Sequence, residues 1–202
     1  MYTIKNQPDK RVLSDYFFID NIFTDKELDK IVEYCDGHKK TPGIIGAGPG
    51  ELDESFRKSK ISWISVNDES SWFLMKKMDA VLNCNKEQYK FDLNSFFDFQ
   101  YTTYTSDNSL YNWHQDYSYD FTGQEEENIR KLSSILVLSD EKDYEGGKLI
   151  IGWKKSEENC VSVEQKRGRL IIFPSFVMHK VCPVTKGTRK SLVNWYLGPW
   201  FK

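Results

Sequence analysis

The sequence is poor in the residues on which several common kinds of site depend. Its four cysteines, Cys35, Cys84, Cys160 and Cys182, lie far apart and form no C-x-x-C pair. This spacing fits neither a zinc cluster nor a disulfide framework, so we expect reduced thiols and a cytoplasmic protein. The first residues, MYTIKNQPDKR, contain no apolar segment, and no apolar run approaches the roughly 18 residues that cross a bilayer. We therefore expect a soluble protein with no membrane partner.

The sequence also lacks an excess of charge of either sign. Lysine and arginine number 28 against 30 aspartates and glutamates, for a formal net charge of −2. The basic residues are interleaved with acids, which is typical of a solvated surface and predicts no nucleic-acid partner. Aromatic residues, in contrast, make up 15% of the chain. That share favours a β-rich core or a pocket lined with rings.

The order of patterns along the chain predicts two helices and short strands at 16–23 and 60–66 in the N-terminal part, and strands alone afterwards. The TDKE capping box predicts a helix over 25–36. Apolar spacing predicts a second helix over 70–83, with one apolar face formed by Leu74, Met78, Val81 and Leu82. From about residue 91 the sequence turns to short strands separated by glycine and proline turn signals, which is typical of a sandwich or barrel. The 202 residues fit one domain. We expect residues 1–90 to support a β-core formed by residues 91–202.

Only three histidines are present, and one lies in the stretch YNWHQD. In a strand, His114 and Asp116 point to the same face, so an imidazole and a carboxylate lie side by side. An ordinary hydrogen-bonded pair would explain this motif as well. His179, however, follows the apolar run RLIIFPSFVM, where a polar ring needs a partner. Together the three residues match the two-histidine, one-carboxylate set of non-haem Fe(II) oxygenases, with a three-ligand zinc site as the alternative.

A basic residue follows the last histidine at a suggestive distance. Arg189 and Ser191 lie in VTKGTRKSLVNW and share one face if a strand begins near Arg189. A guanidinium and a hydroxyl in this arrangement could bind both oxygens of a carboxylate. A surface salt bridge is the alternative interpretation of Arg189 alone.

Taken together, these stretches resemble the 2-oxoglutarate- and Fe(II)-dependent dioxygenases, and among them the prolyl 4-hydroxylase-like group. The resemblance is carried by the HxD motif, RKLSSILVLSDEKDYEGGKL and FPSFVMHKVCPVTKGTRKSLVNWYLGPW. It covers residues 91–202 closely and the stretch FFIDNIFTDKELDKIVEYC more loosely. It implies a double-stranded β-helix, a distorted jelly roll, with the N-terminal helices packed on one sheet.

The resemblance also implies roles for particular residues. His114, Asp116 and His179 would hold iron, and Arg189 would pair with the distal carboxylate of 2-oxoglutarate, assisted by Ser191. Tyr104, ten residues before His114, would contact the co-substrate or be a core aromatic, and Trp195 would form a wall of the pocket. A groove over the iron could be formed by the rings of Tyr111, Trp113, Tyr117 and Tyr119. Val137 occupies a position at which some relatives carry a second tyrosine. Arg189 would therefore carry more of the binding.

The implied activity is hydroxylation of a C–H bond with O₂, yielding succinate and CO₂ as co-products, with ascorbate as reductant. Peptidyl proline is the first substrate that the resemblance suggests, so a peptide or protein partner is expected. The alternatives are the same chemistry on another side chain or on a small molecule. A third alternative is a cupin-like jelly roll that binds metal without catalysis.

Overall fold

The computed structural model describes residues 14–45, 50–117, 128–152 and 160–201. Two helices alternate with the first strands of a set of antiparallel strands, which confirms the predicted mainly-β class. The strands are β1 Phe17–Ile19, β2 Thr41–Pro42, β3 Arg57–Lys58, β4 Lys60–Ile64, β5 Ser95–Phe96, β6 Phe99–Thr105, β7 Ser109–His114, β8 Ile129–Val137, β9 Tyr144–Gly146, β10 Leu149–Gly152, β11 Cys160–Val163, β12 Leu170–Pro174 and β13 Met178–Gly198.

The first helix, α1, spans Asp25–Asp36 and begins at the predicted capping box. The Thr24 hydroxyl accepts from the backbone N–H of Glu27, and the Glu27 carboxylate accepts from that of Thr24. Two otherwise unsatisfied backbone donors are thereby paired, which fixes where the helix begins. Its buried side chains, Leu28, Ile31 and Cys35, lie in the larger apolar core.

The second helix, α2, spans Ser71–Cys84 and continues into a short π-helical turn, Asn85–Tyr89. It buries Phe73, Leu74, Lys77 and Val81. The predicted apolar face was wrong at Leu82, which is exposed. In the ranges described above, neither α-helix combines the length and apolar composition needed to cross a bilayer.

The strands form two antiparallel sheets that share β13. The first sheet runs in the order β1-β12-β8-β13-β6-β4-β2, and in the second β13 pairs with β7, β9 and β10. One apolar core lies with the helices against the first sheet, and a second contains side chains from both sheets. The candidate residues belong to the elements around this second core.

Strand β13 is 21 residues long and passes from one sheet into the other. Its first part, around His179, pairs with β7 and β10, and its second part, from Thr188 onward, pairs with β6 and β8. Gly187 lies between the two parts with φ of 71°, and a Cβ there would lie 1.9 Å from the Asp143 carbonyl oxygen. Only glycine fits this crossing without strain. A single strand therefore carries candidate residues on both sheets.

Two sequence-based expectations about this region were wrong in detail. Pro183 was expected in a turn but lies inside β13, where the register between Val181 and Val184 is irregular. An irregular register tolerates a residue that has no N–H to donate. His179 was expected to end the preceding apolar strand, but β12 ends at Pro174 and His179 is the second residue of β13.

Candidate active site

Three ligand-bearing side chains meet where β7 and β13 run side by side. His114, the last residue of β7, is the register partner of His179 on β13, and Asp116 follows two residues after β7. One ligand atom from each lies within 4.8 Å of the other two. The Asp116 carboxylate oxygens are 3.8 Å from His114 Nε2 and 3.6 Å from His179 Nε2. Strand pairing thus brings together a site whose members are 65 residues apart in sequence.

Backbone contacts orient both imidazoles in the same way. His114 Nδ1 donates to the Asn112 carbonyl at 2.7 Å, and His179 Nδ1 donates to the Val177 carbonyl at 3.1 Å. Because a carbonyl oxygen can only accept, each Nδ1 carries the proton and each Nε2 keeps its lone pair. Metal-binding histidines are commonly held in this way. Both Nε2 atoms face Asp116, as a shared metal would require.

The carboxylate of Asp116 is buried and held by hydroxyl groups. Ser133 Oγ donates to Asp116 Oδ2 at 2.7 Å, and Ser175 Oγ lies 2.9 Å from Ser133 Oγ. Burial alone would raise the pKa of Asp116, but the neighbouring imidazoles and the Ser133 hydroxyl hold it below its ordinary value. Burial lowers the pKa of His114 to about 3. The site therefore presents one carboxylate and a neutral His114 imidazole at neutral pH.

Arg189 is almost fully buried in the cavity that contains this triad. Its Nε donates to Gln165 Oε1 at 2.8 Å, and its Nη1 lies 3.5 Å from Ser191 Oγ. Within the described residues, Nη2 has no hydrogen-bond partner, and neither has the buried indole N–H of Trp195. Unpaired buried donors are expensive, so two of them on one cavity wall indicate a place for an acceptor-bearing ligand.

Aromatic side chains complete the walls of this cavity. Tyr104 is buried, with the Arg189 guanidinium 5.3 Å from its ring centroid. Tyr111 stacks on His114 at a centroid distance of 3.4 Å. Trp195 also contributes to the lining, as expected. Tyr119 was expected in the same groove, but it lies outside the described residues.

Sequence reasoning missed Arg57, a second buried arginine in the lining of the same cavity. It belongs to β3, which pairs with β7, so that Arg57 lies opposite Tyr111 and its guanidinium covers that ring at 4.5 Å. The sequence did contain a signal for the role of Arg57, because residues 57–59 repeat the tripeptide Arg-Lys-Ser of residues 189–191. Gln165 was also missed, because its contact with Arg189 joins segments that are distant in sequence.

The family model described as the 2OG-Fe(II) oxygenase superfamily matches residues 99–197. The matched segment begins at β6 and ends in β13, so it contains the triad and Arg189. Over this segment of 99 residues, just under half of the 202, the chain resembles this superfamily. The fold agrees with that of prolyl 4-hydroxylases, which confirms the predicted jelly roll.

Two solved structures illustrate the likeness in fold. A prolyl-4-hydroxylase of Pseudomonas putida superposes with a TM-score of 0.70 at 20% identity, covering 92% of this chain and 94% of that one. A prolyl hydroxylase from Trichoplax adhaerens, in complex with a hypoxia inducible factor peptide fragment, gives 0.71 at 19% identity, covering 90% and 83%. At such identities the likeness shows the fold.

Curated relatives match shorter segments of the chain. A PKHD-type hydroxylase of Xanthomonas campestris pv. campestris (strain B100) is 41% identical over 64 residues, which are 32% of this chain and 27% of that protein. A PKHD-type hydroxylase of Prochlorococcus marinus is 36% identical over 91 residues, which are 45% and 38% respectively. The matches thus span about a quarter to two fifths of these relatives.

Proposed function

We propose that this protein is an Fe(II)- and 2-oxoglutarate-dependent dioxygenase that hydroxylates a C–H bond, with peptidyl proline as substrate. The observation that carries the proposal is the presence of two features in one cavity. One is a two-histidine, one-carboxylate set with converging ligand atoms, and the other is the unpaired guanidinium nitrogen of Arg189. The family model that matches residues 99–197 and the names of the curated relatives support hydroxylase chemistry.

The donor set fits ferrous iron. His114, Asp116 and His179 offer two imidazole nitrogens and a carboxylate, the ligand types of the facial triad, and would leave other coordination positions open. When bound, iron and 2-oxoglutarate supply the O₂ chemistry that ends in substrate hydroxylation, succinate and CO₂. The chain supplies the geometry: Asn112 and Val177 fix the imidazoles by accepting from Nδ1.

The residues around Arg189 fit the distal carboxylate of 2-oxoglutarate. The guanidinium is buried, has neutral partners and keeps Nη2 unpaired, so an incoming carboxylate would satisfy it. Ser191 and Tyr104 line the cavity close to Arg189. A jelly roll that only bound metal would have no use for this buried cation, which argues against the cupin-like alternative.

Peptidyl proline is proposed on the likeness to prolyl hydroxylases and on the rings near the metal site. The fold likeness includes a prolyl hydroxylase seen with a peptide. Tyr111 lies against His114, and aromatic grooves bind proline-rich segments well. Fold likeness is a weak argument for substrate, so the experiment has to test the substrate separately.

The test is succinate formation from 2-oxoglutarate with Fe(II) and ascorbate, with and without proline-containing peptides. We expect succinate and CO₂ in a metal-dependent reaction, and an added oxygen atom on proline by mass spectrometry. A protein that binds metal but never consumes 2-oxoglutarate would refute the oxygenase proposal. Turnover of a small molecule with no peptide modified would refute only the proline substrate.

A further inference from the structure

The tripeptide Arg-Lys-Ser occurs twice in the chain, and both arginines line the same cavity. The second copy contains Arg189, the proposed partner of 2-oxoglutarate. The first contains Arg57, which is buried at 7% exposure. In both copies the arginine side chain approaches the serine two residues later, with Arg57 Nε 3.1 Å from Ser59 Oγ. The part of the argument for Arg189 that rests on a buried guanidinium next to a serine hydroxyl therefore applies to Arg57 as well.

Every hydrogen-bond partner of Arg57 is neutral. Nε donates to Ser59 Oγ, Nη1 donates to the Ile44 carbonyl at 3.0 Å, and Nη2 donates to Gln100 Oε1 at 2.8 Å. Across the described ranges Arg57 forms no ion pair, whereas the buried Arg169 pairs with Asp20 and Glu164. A guanidinium has five N–H donors, so two of those on Arg57 remain for a ligand.

Among the described residues that line the cavity, a count of charge leaves Arg57 without a counterion. Fe(II) and doubly ionised 2-oxoglutarate together carry no net charge. Among the residues that line the cavity, Asp116 balances Arg189, and the single positive charge of Arg57 is left over. A buried charge is costly unless an opposite charge accompanies it. The missing charge would therefore arrive with the substrate.

Arg57 also lies close to the proposed metal ligands. Its guanidinium covers the ring of Tyr111, and that ring stacks on the proposed ligand His114. Gly43 allows this placement, because a Cβ there would lie 2.6 Å from Arg57 Nε. The guanidinium is thus held by backbone and side chains and does not need a ligand to position it.

We propose that Arg57 binds a carboxylate of the substrate, so that the preferred substrate is a peptide with an acidic group next to the reacting residue. The inference rests on the proposed peptide hydroxylase function and specifies its substrate class. The carboxylate could come from an aspartate or glutamate on either side of the proline, or from a free carboxyl terminus at the proline. All three present the same two oxygens to the two remaining N–H donors.

The experiment measures hydroxylation of matched peptides by the 202-residue chain in the presence of Fe(II), 2-oxoglutarate and ascorbate. One pair has Glu or Gln before the proline, a second has Glu or Gln after it, and a third ends at proline as free acid or amide. We expect kcat/KM for the acid of at least one pair to exceed that of its amide by about tenfold or more, as for a charge-assisted hydrogen bond.

Arg57→Gln should bring this ratio close to one, and Arg57→Lys should retain part of it. Ratios within about twofold for all wild-type pairs would overturn the inference, as would an unchanged ratio in Arg57→Gln. If none of the peptides is hydroxylated, the inference also fails. Succinate formed in the same reactions shows separately whether the oxygenase function stands. The wild-type ratios decide the matter even if the variants fail to fold.

Discussion

The two Arg-Lys-Ser stretches have the same sequence but different surroundings. Arg57 donates from all three of its nitrogens to neutral groups, while Arg189 leaves Nη2 unpaired. The first guanidinium is fully held before any ligand arrives, and the second is only partly held. We infer that Arg189 depends on its ligand for complete pairing, and that Arg57 adds selectivity to a structure that is already stable.

A third buried arginine shows what a structural role looks like in this fold. Arg169 donates to both carboxylate oxygens of Asp20 and also to Glu164. Its charge is neutralised within the chain, and Arg169 is not among the residues that line the active-site cavity. The two arginines of the cavity are paired with neutral groups instead. Charge left unbalanced inside the fold is therefore the feature that separates the two arginines proposed to bind ligands from the structural one.

The change with the greatest expected effect is removal of one proposed metal ligand from the cavity that both arginines line. Asp116→Ala should abolish metal-dependent succinate formation, because it removes one of three proposed ligands. Isothermal titration with Fe(II) under anaerobic conditions, or with a redox-stable divalent surrogate, measures the loss of binding directly. The matched control is Ser133→Ala, which removes only the hydroxyl that donates to Asp116. Losing such a partner typically reduces metal affinity or activity about 10–100-fold. Metal affinity that is equal in wild type and Asp116→Ala would contradict the ligand assignment.

The next largest effect is expected from replacing Arg189, the arginine proposed to bind 2-oxoglutarate. Arg189→Leu should weaken 2-oxoglutarate binding by about 2–5 kcal/mol, the loss expected when a buried charged pair is truncated. Metal affinity should change little, because Arg189 is not among the three proposed ligands. Arg189→Lys should be impaired less, since an ammonium keeps the charge but not the planar fork. Titration calorimetry of 2-oxoglutarate into the metal-loaded protein measures the affinity of each variant. An Arg189→Leu protein with wild-type affinity would remove the co-substrate role.

A smaller change tests how Arg189 is held. Gln165→Leu removes the acceptor of Nε and should weaken 2-oxoglutarate binding by about 1 kcal/mol, the usual net value of one hydrogen bond. Gln165→Glu should be worse than Gln165→Leu, because a carboxylate at that position would pair with Arg189 and compete with the ligand. The same titrations compare the two variants. If Gln165→Glu bound 2-oxoglutarate more tightly than Gln165→Leu, the neutral environment of Arg189 would not matter.

Sequence signals predicted an element well where its boundary depends on interactions between residues close in sequence. The capping box fixed the start of α1, since its hydrogen bonds involve residues three positions apart. Strand β13 was not predicted as one element, because Pro183 and Gly187 are turn signals and both lie inside it. Its continuity depends on pairing with strands of both sheets, which is tertiary information.

The same distinction applies to the candidate site. The relation of His114 to Asp116, and that of Arg189 to Ser191, follows from two-residue spacing within a strand. The position of Arg57 could not be derived in this way, because it depends on the pairing of β3 with β7, about fifty residues away. Only the repeated tripeptide hinted at it.

The smallest expected effect concerns stability towards acid. It involves Lys58 and Lys190, the middle residues of the two Arg-Lys-Ser stretches, and their carboxylate partners. Lys190 Nζ lies 2.6 Å from Asp36, a half-buried carboxylate, and Lys58 Nζ lies 3.2 Å from the more exposed Asp107. Burial of Asp36 opposes ionisation, but hydrogen bonds from Lys190, Lys40 and Tyr101 outweigh it and lower the pKa of Asp36 to about 2. The folded-state pKa lies below the ordinary value of 3.8. The ionised carboxylate therefore stabilises the fold above about pH 4, and this contribution is lost as the pH falls towards 2.

Asp36→Asn should accordingly lower the free energy of unfolding at pH 7 by about 1 kcal/mol or less, since the pair is partly solvated. For a chain of this size that corresponds to a melting temperature lower by about 2–4 °C. The difference from wild type should shrink between pH 4 and pH 2, because protonation of Asp36 removes the same ionic interactions. Asp107→Asn is the matched control and should have the smaller effect at pH 7, because its lysine pair is more exposed to solvent. Thermal unfolding followed by circular dichroism across this pH range measures both variants. If the melting temperature of Asp36→Asn stayed equally far below that of wild type at pH 2, the packing of Asp36, and not its charge, would be what stabilises the fold.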